Sequence, residues 1–237
     1  MQSVYIETTI PSYLTSRKSR QASIAADQEA TRAWWNEQRR YFRIFTSVFT
    51  LAEAGLGDPS LAAKRLATLE GIPTLDIPED FGVLEGELIQ LFQLPAKAAT
   101  DASHLGLAIV HRMDYLGLSY NMELHAPCQC RSTEGTHGLL RLSPPSCSSD
   151  LHSRNPNQIT PMNNPIIDEV RAARATIAAE HGYDREKILA WARAEQAAIK
   201  NMNPNKASLL TPDPPFIQAV MTATTSTCRR SLAPGQA

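Results

Sequence analysis

The sequence predicts an α/β fold: a three-layer α/β/α domain around a central, mainly parallel sheet, followed by an irregular stretch and a hairpin-like pair of tail helices. Three observations carry this. Short apolar segments of strand length alternate with amphipathic helical segments from residue 2 to about 117, an order that folds into parallel strands with helices on both faces. The alternation stops after Leu116. Helical periodicity returns at about Met162 and runs to about residue 200.

In chain order, residues 2–7 (QSVYIE) alternate Val4 and Ile6 with more polar neighbours and read as a strand. The Thr8-Thr9-Ile10-Pro11 step that follows suits a helix start with the proline in its first turn. Ala22 to Phe45 is helical in pattern, with Ile24, Trp34, Trp35 and Phe42 as packing candidates, and Phe45–Val48 reads as a second strand. Thr50–Gly55 and Ser60–Leu69 read as helices separated by a turn at Asp58-Pro59. Ile72–Ile77 is a third strand candidate. Phe81–Phe92 is helical, Leu94-Pro95 breaks it, and Ala96–His111 forms a further helix. Asp114–Leu116 opens a fourth strand.

From Gly117 to Pro161 neither period is sustained, and Pro, Ser, Cys, His and Asn accumulate. Such a stretch buries too little apolar surface to offset the entropy of ordering it, as in a disordered linker. Beyond it, Asn164 caps a helix with Pro165 at its first position, Asp168 and Glu169 in its first turn, and Ile166, Val170, Ala173 and Ile177 at helical spacing. Gly182-Tyr183 ends that helix, and Asp184 starts another through Ile188, Leu189, Ala192 and Ile199. Two such helices need a partner surface to be stable. Residues 201–237, with Pro204, Pro212, Pro214 and Pro215, read as a loose tail.

The formal net charge of -1 and pI near 6.6 give no global positive field, so a nucleic acid would have to be gripped by a local patch or a metal. Basic clusters at Arg17-Lys18-Ser19-Arg20 and Arg39-Arg40 are candidates for phosphate contact, although solvated helix charge explains them as well. The four cysteines, Cys128, Cys130, Cys147 and Cys228, all lie in the second half, and Cys128 and Cys130 alone supply only two of the ligands a zinc site requires. No signal-type segment or membrane-length apolar run is present, which leads to the expectation of a cytoplasmic protein.

Three carboxylates stand where chemistry is expected. Glu7 closes the first strand, Glu53 follows the second, and Asp101 lies in the first turn of the helix before the fourth. In open parallel sheets the carboxyl edge is where sites assemble. Hard oxygen ligands there suit Mg²⁺ or Mn²⁺. Glu53 also reads as a solvated helix residue and Asp101 as a helix N-terminal acid. Glu7 is harder to explain away, since a carboxylate ending an apolar strand is costly unless something binds it. His104 and His111, seven apart on one helix, read as packing or surface histidines. Asp114 reads as a turn or strand-start residue.

VYIETTIPSYL, a helical arm with paired tryptophans, TLAEAGLGDP, and LPAKAATDASHLGLAIVHRMDYL together resemble the PIN-domain family, in its VapC-like toxin branch, over residues 2–116. The resemblance implies a PIN-like domain over residues 1–117 in which Glu7, Glu53 and Asp101 are the metal ligands and catalytic acids, with Thr8 as the hydroxyl residue beside the first. It implies Mg²⁺ or Mn²⁺ as cofactor, hydrolysis of RNA phosphodiesters, a cognate antitoxin as partner, and the possibility of a homodimer. Ser103 departs from the leucine usual in relatives. A PIN-like nuclease acting on DNA or structured RNA outside a toxin system stays open, because a fold does not set a substrate.

Relatives continue the fourth strand as DYLLTWNC-x-HLANA, whereas this chain reads DYLGLSYNMELHAPCQC. A one-base slip within Met122-Glu123 compels a tryptophan codon and permits Asn, Cys, Thr, His, Leu, Ala, Asn and Ala in register with Glu123 to Cys130. The expectation is therefore a frame change after about residue 117 and an out-of-frame segment over 118–161, truncating the PIN-like domain and its fourth acidic element. MNNPIIDEVRAARATIAAEHGYDREKILAWARAE, within residues 162–200, resembles the short helical protein encoded beside such toxins and presumed to be an antitoxin. A chain fused in this way is either a ribonuclease or a non-catalytic interaction protein whose helical tail masks a degenerate PIN domain.

Overall fold

The computed structural model describes residues 1–117, 139–141 and 164–202. Cys128, Cys130, Cys147 and Cys228, the frame change, and residues 203–237 of the expected tail lie outside these, as does most of the irregular segment. The fold is mixed α/β and mostly helical. Its elements are β1 (Ser3–Ile6), α1 (Thr9–Thr15), α2 (Ala22–Ala33), β2 (Arg43–Phe45), α3 (Val48–Ala54), α4 (Pro59–Leu69), α5 (Phe81–Phe92), α6 (Ala99–Val110), β3 (Tyr115–Gly117), β4 (Leu139–Arg141), α7 (Pro165–Glu180) and α8 (Arg185–Met202).

The sheet order is β2-β1-β3-β4, with β1 parallel to both β2 and β3. All four residues of β1 are buried, as expected of a central strand covered on both faces. Their alternation divides the core: Val4 and Ile6 join Ile10, Trp34, Leu69 and Ile72 in one cluster, while Tyr5 joins Phe49, Phe81, Leu107 and Leu116 in the other.

Several boundaries differ from the sequence reading. After Ala33 the backbone widens into a π-helical turn at Trp34–Gln38 and tightens to 3₁₀ at Arg39–Tyr41, so the helix does not reach Phe45. The second strand is Arg43–Phe45, ahead of the predicted Phe45–Val48, because the Ser47 hydroxyl accepts from the Thr50 N–H and starts α3. Ile72–Ile77 is no strand. It makes one parallel bridge, Thr46 to Thr74; Pro73 has no N–H to give, and the Ile77 N–H donates instead to Gln196 of α8. Ala96–Ala98 is 3₁₀, and the helix proper begins at Ala99. Within the stretch expected to lack periodicity, β4 pairs antiparallel with β3.

The tail helices find the partner surface they need. Asn164 caps α7 as expected, accepting from Ile166 and Ile167, and its side-chain amide donates to the Tyr13 hydroxyl at 2.9 Å. Gly182 and Tyr183 take positive φ in the turn between the helices. Ile188, Leu189 and Ala192 of α8 complete the larger core cluster. Gly82 and Gly86 of α5 leave room for Leu189 and Arg185 respectively, and Arg193 donates to the carbonyls of Pro78 and Glu79. α8 runs on to Met202, past the expected start of the tail. Among the described residues no helix is long and apolar enough to cross a membrane.

Candidate functional site

The three acids meet because of how the strands run. Glu7 follows the last residue of β1, at the carboxyl edge of the parallel sheet. The β2 strand ends at the same edge, so the helix that follows it, α3, carries Glu53 there. The α6 helix precedes β3 and returns toward that strand's amino end, so its first turn, with Asp101, starts at the carboxyl edge. Glu7 and Glu53 are buried, and Asp101 is partly exposed.

What joins them is Arg174, near the middle of α7. Its Nε donates to Glu53 Oε2 at 3.1 Å, its Nη1 to Asp101 Oδ1 at 2.5 Å, and its Nη2 to Glu7 Oε2. Three hydrogen bonds to one planar guanidinium place the carboxyl groups within about 8 Å of one another, from ordinary bond lengths. Burial opposes the Arg174 charge, but Glu53, Glu7 and Asp101 outweigh it and hold the guanidinium's pKa above its ordinary value. The three carboxylates outnumber the single cation, so formal negative charge is left over, and Glu7 Oε1 is buried with no hydrogen-bond partner among the described residues. Among those residues no three Asp, Glu, His or Cys side chains already surround an ion-sized point, because the guanidinium lies between the acids.

Glu53 is the most heavily bonded of the three. Thr8 donates to its Oε2, and His104 Nε2 lies 2.8 Å from its Oε1. Burial would raise the Glu53 pKa, but Arg174, His104 and the Thr8 hydroxyl together bring it down to about 2. The far nitrogen of His104, Nδ1, is 2.5 Å from the Tyr5 hydroxyl, which lies 2.7 Å from Ser47 Oγ. Burial raises the Tyr5 pKa well above its usual range, so the phenol keeps its proton. His104 is thus buried and bonded through both ring nitrogens. His111 is buried too, with Nε2 2.7 Å from the Asp76 carbonyl oxygen.

The structure brings together Glu7, Glu53, Asp101 and Thr8, the residues singled out from the sequence, and adds Arg174, which sequence reasoning overlooked. A signal was available: Val170, Arg174 and Ile177 share one buried stripe of α7, and a cation on an apolar stripe implies an acidic partner. Asp114 is a strand-start residue as expected. It accepts from the Ser3 N–H at 2.7 Å and the Ser3 hydroxyl at 2.8 Å, at the end of the sheet opposite Glu7. Of the basic clusters, Arg39 stacks on Trp35 and Arg40 on Tyr41, while Lys18 pairs loosely with Glu29 in solvent. No protein-family model, curated protein or solved structure matches the chain.

Proposed function

We propose that residues 1–117 form a PIN-like three-layer domain of the VapC-like branch, a metal-dependent endoribonuclease, and that the α7 helix of the same chain holds its site shut. The observation that carries this reading is the convergence of Glu7, Glu53 and Asp101 on one guanidinium. Arg174 stands where a divalent cation would be drawn, and one positive charge leaves the acids under-compensated. The donor set is all oxygen, which fits Mg²⁺ or Mn²⁺, and the unpartnered Glu7 Oε1 supplies a free ligand atom. A divalent ion bound there would provide the positive charge that lowers the pKa of a water and offsets charge on a phosphodiester. In this reading Thr8 and His104 fix the carboxylates, and α7 excludes both metal and RNA until it swings away.

Residues 164–202 then act in cis as a cognate antitoxin would act in trans. Contacts across the two parts reinforce the Arg174 plug: Arg65 pairs with Glu169 at 2.9 Å and Lys200 with Asp76 at 2.8 Å. The same observations favour a second reading, a non-catalytic protein in which masking is the whole role. RNA cleavage with Mn²⁺ or with chelator separates them, using the unaltered chain, Arg174→Ala, and Arg174→Ala combined with Asp101→Ala. The nuclease reading expects Mn²⁺-dependent cleavage from Arg174→Ala alone. Equal, chelator-resistant signals from all three would end it, and Mn²⁺ uptake by Arg174→Ala without cleavage would establish the masking reading.

A further inference from the structure

His104 lies buried beside the acid trio, and both of its ring nitrogens are committed. Its Nε2 meets Glu53 Oε1 at 2.8 Å and its Nδ1 meets the Tyr5 hydroxyl at 2.5 Å. Tyr5 in turn meets Ser47 Oγ at 2.7 Å, and Ser47 caps the helix that carries Glu53. The ring is also fixed from the sides. Tyr5 lies tilted against it at 5.8 Å between centroids, and Phe49 meets it edge-on at 6.2 Å. An ionised carboxylate can only accept, so at the Glu53 contact the hydrogen lies on Nε2 and the imidazole donates to Oε1.

The consequence concerns which oxygen of Glu53 is available. Oε1 is taken by the imidazole, so Oε2 is the atom turned toward the centre, where Thr8 and Arg174 reach it. We propose that His104 is a positioning residue: held by Tyr5 and Ser47, it clamps one oxygen of Glu53 and so presents the other to whatever cation the acid trio binds. The inference rests on the reading of Glu53 as a cation ligand. It goes beyond that reading by assigning the supporting chain Ser47-Tyr5-His104, contributed by β1, α3 and α6. Partners of this kind orient ligating groups, and their loss weakens metal binding about 10- to 100-fold.

The test uses two amides of different reach. In the full chain carrying Arg174→Ala, titration calorimetry with MnCl₂ alone is run on three versions: His104 unchanged, His104→Gln and His104→Asn. Glutamine places an N–H near the position of Nε2 and can still clamp Glu53. Asparagine reaches only toward Tyr5. The expected result is Mn²⁺ affinity near the parent's for His104→Gln and about 10- to 100-fold weaker for His104→Asn. Equal affinity in all three would overturn the proposal. Tyr5→Phe, which keeps the ring volume in the core, is expected to weaken Mn²⁺ in the same direction, and unchanged affinity there would remove Tyr5 from the chain of support.

A metal-free arm keeps the two readings apart. With Arg174 intact, Glu53 Oε2 holds α7 through the guanidinium, so hydrogen exchange over residues 165–180 reports the carboxylate's placement directly. His104→Asn is expected to accelerate that exchange and His104→Gln to preserve the protection. Should the Arg174→Ala parent take up no Mn²⁺, the cation site itself fails, and the exchange arm still decides His104: equal protection in all versions would sink the positioning role.

Discussion

Two buried glutamates on different helices are shifted in opposite directions. Glu53 on α3 and Glu85 on α5 are each about 1% exposed. Burial pushes both pKa values up, and at Glu53 the charge of Arg174, the His104 contact and the Thr8 hydroxyl reverse that push to about 2. At Glu85 burial prevails. The Ser103 hydroxyl and the more distant Arg185 and Arg193 oppose it only in part, and the pKa stands at about 7. Glu85 Oε2 has no hydrogen-bond partner among the described residues. Burial therefore favours the protonated acid, and gathered charge is what keeps a buried carboxylate ionised.

The sharpest way to break this contrast is to remove the charge. Arg174→Ala leaves Glu7, Glu53 and Asp101 facing one another without a counter-ion, and loss of one partner from a buried ionic cluster costs about 3–5 kcal/mol. Urea unfolding at pH 7 should show a loss of that size, largely restored by Mn²⁺. The pH dependence should change sign as well. With Arg174 present, Glu53 has a folded pKa of about 2 against an ordinary 4.5, so its contribution is complete above pH 4.5 and is lost as pH falls toward 2. Without Arg174 the three carboxylates face one another with no guanidinium between them, and acidification should stabilise the variant. An Arg174→Ala chain as stable as the parent at pH 7 without Mn²⁺ would mean that the ion pairs do not hold α7.

The opposite member of the pair gives the next largest effect. Glu85 has a folded pKa of about 7, above its ordinary 4.5, so the stability it confers is complete below pH 4.5 and falls away as pH rises through 7. A displacement of that size corresponds to about 3 kcal/mol once the group is fully ionised. Glu85→Gln keeps an acceptor for Ser103 and removes the charge. The variant should be about 2–3 kcal/mol more stable than the parent at pH 8 and nearly equal to it at pH 4.5. A parent chain whose stability is flat between pH 5 and 8 would contradict the assignment.

How much of this the sequence shows depends on the range of the forces involved. β1, the Asn164-Pro165 start of α7 and the turn at Gly182 are legible because period and capping are local. Glu7 is legible because a carboxylate ending an apolar strand stands out, and Glu53 and Asp101 follow from the direction in which parallel strands run. Arg174, His104 and the pair Ser103-Glu85 are not visible in this way. Each is defined by a partner on another element: 167 residues separate Arg174 from Glu7, and 99 separate His104 from Tyr5. The strand predicted over 72–77 failed for a related reason: its pairing stops after a single bridge to Thr46, and further along the Asp76 carbonyl and the Ile77 N–H bond side chains of His111 and Gln196.

The smallest expected effect distinguishes the two ends of the sheet. Asp114 is the acid nearest in sequence to where a further member of the set would be sought, but it precedes β3, and β3 runs parallel to β1, so it faces Ser3 at the amino edge. Its pKa is lowered, with burial opposing and the Ser3 N–H and hydroxyl prevailing, and these are contacts within the fold. Asp114→Ala should cost about 1 kcal/mol, the net worth of such hydrogen bonds. In the Arg174→Ala background it should leave Mn²⁺ affinity unchanged, whereas Asp101→Ala abolishes it. A drop in affinity comparable to that of Asp101→Ala would place Asp114 with the other acids, and the opposition between a structural amino edge and the carboxyl edge proposed to bind a cation would fail with it.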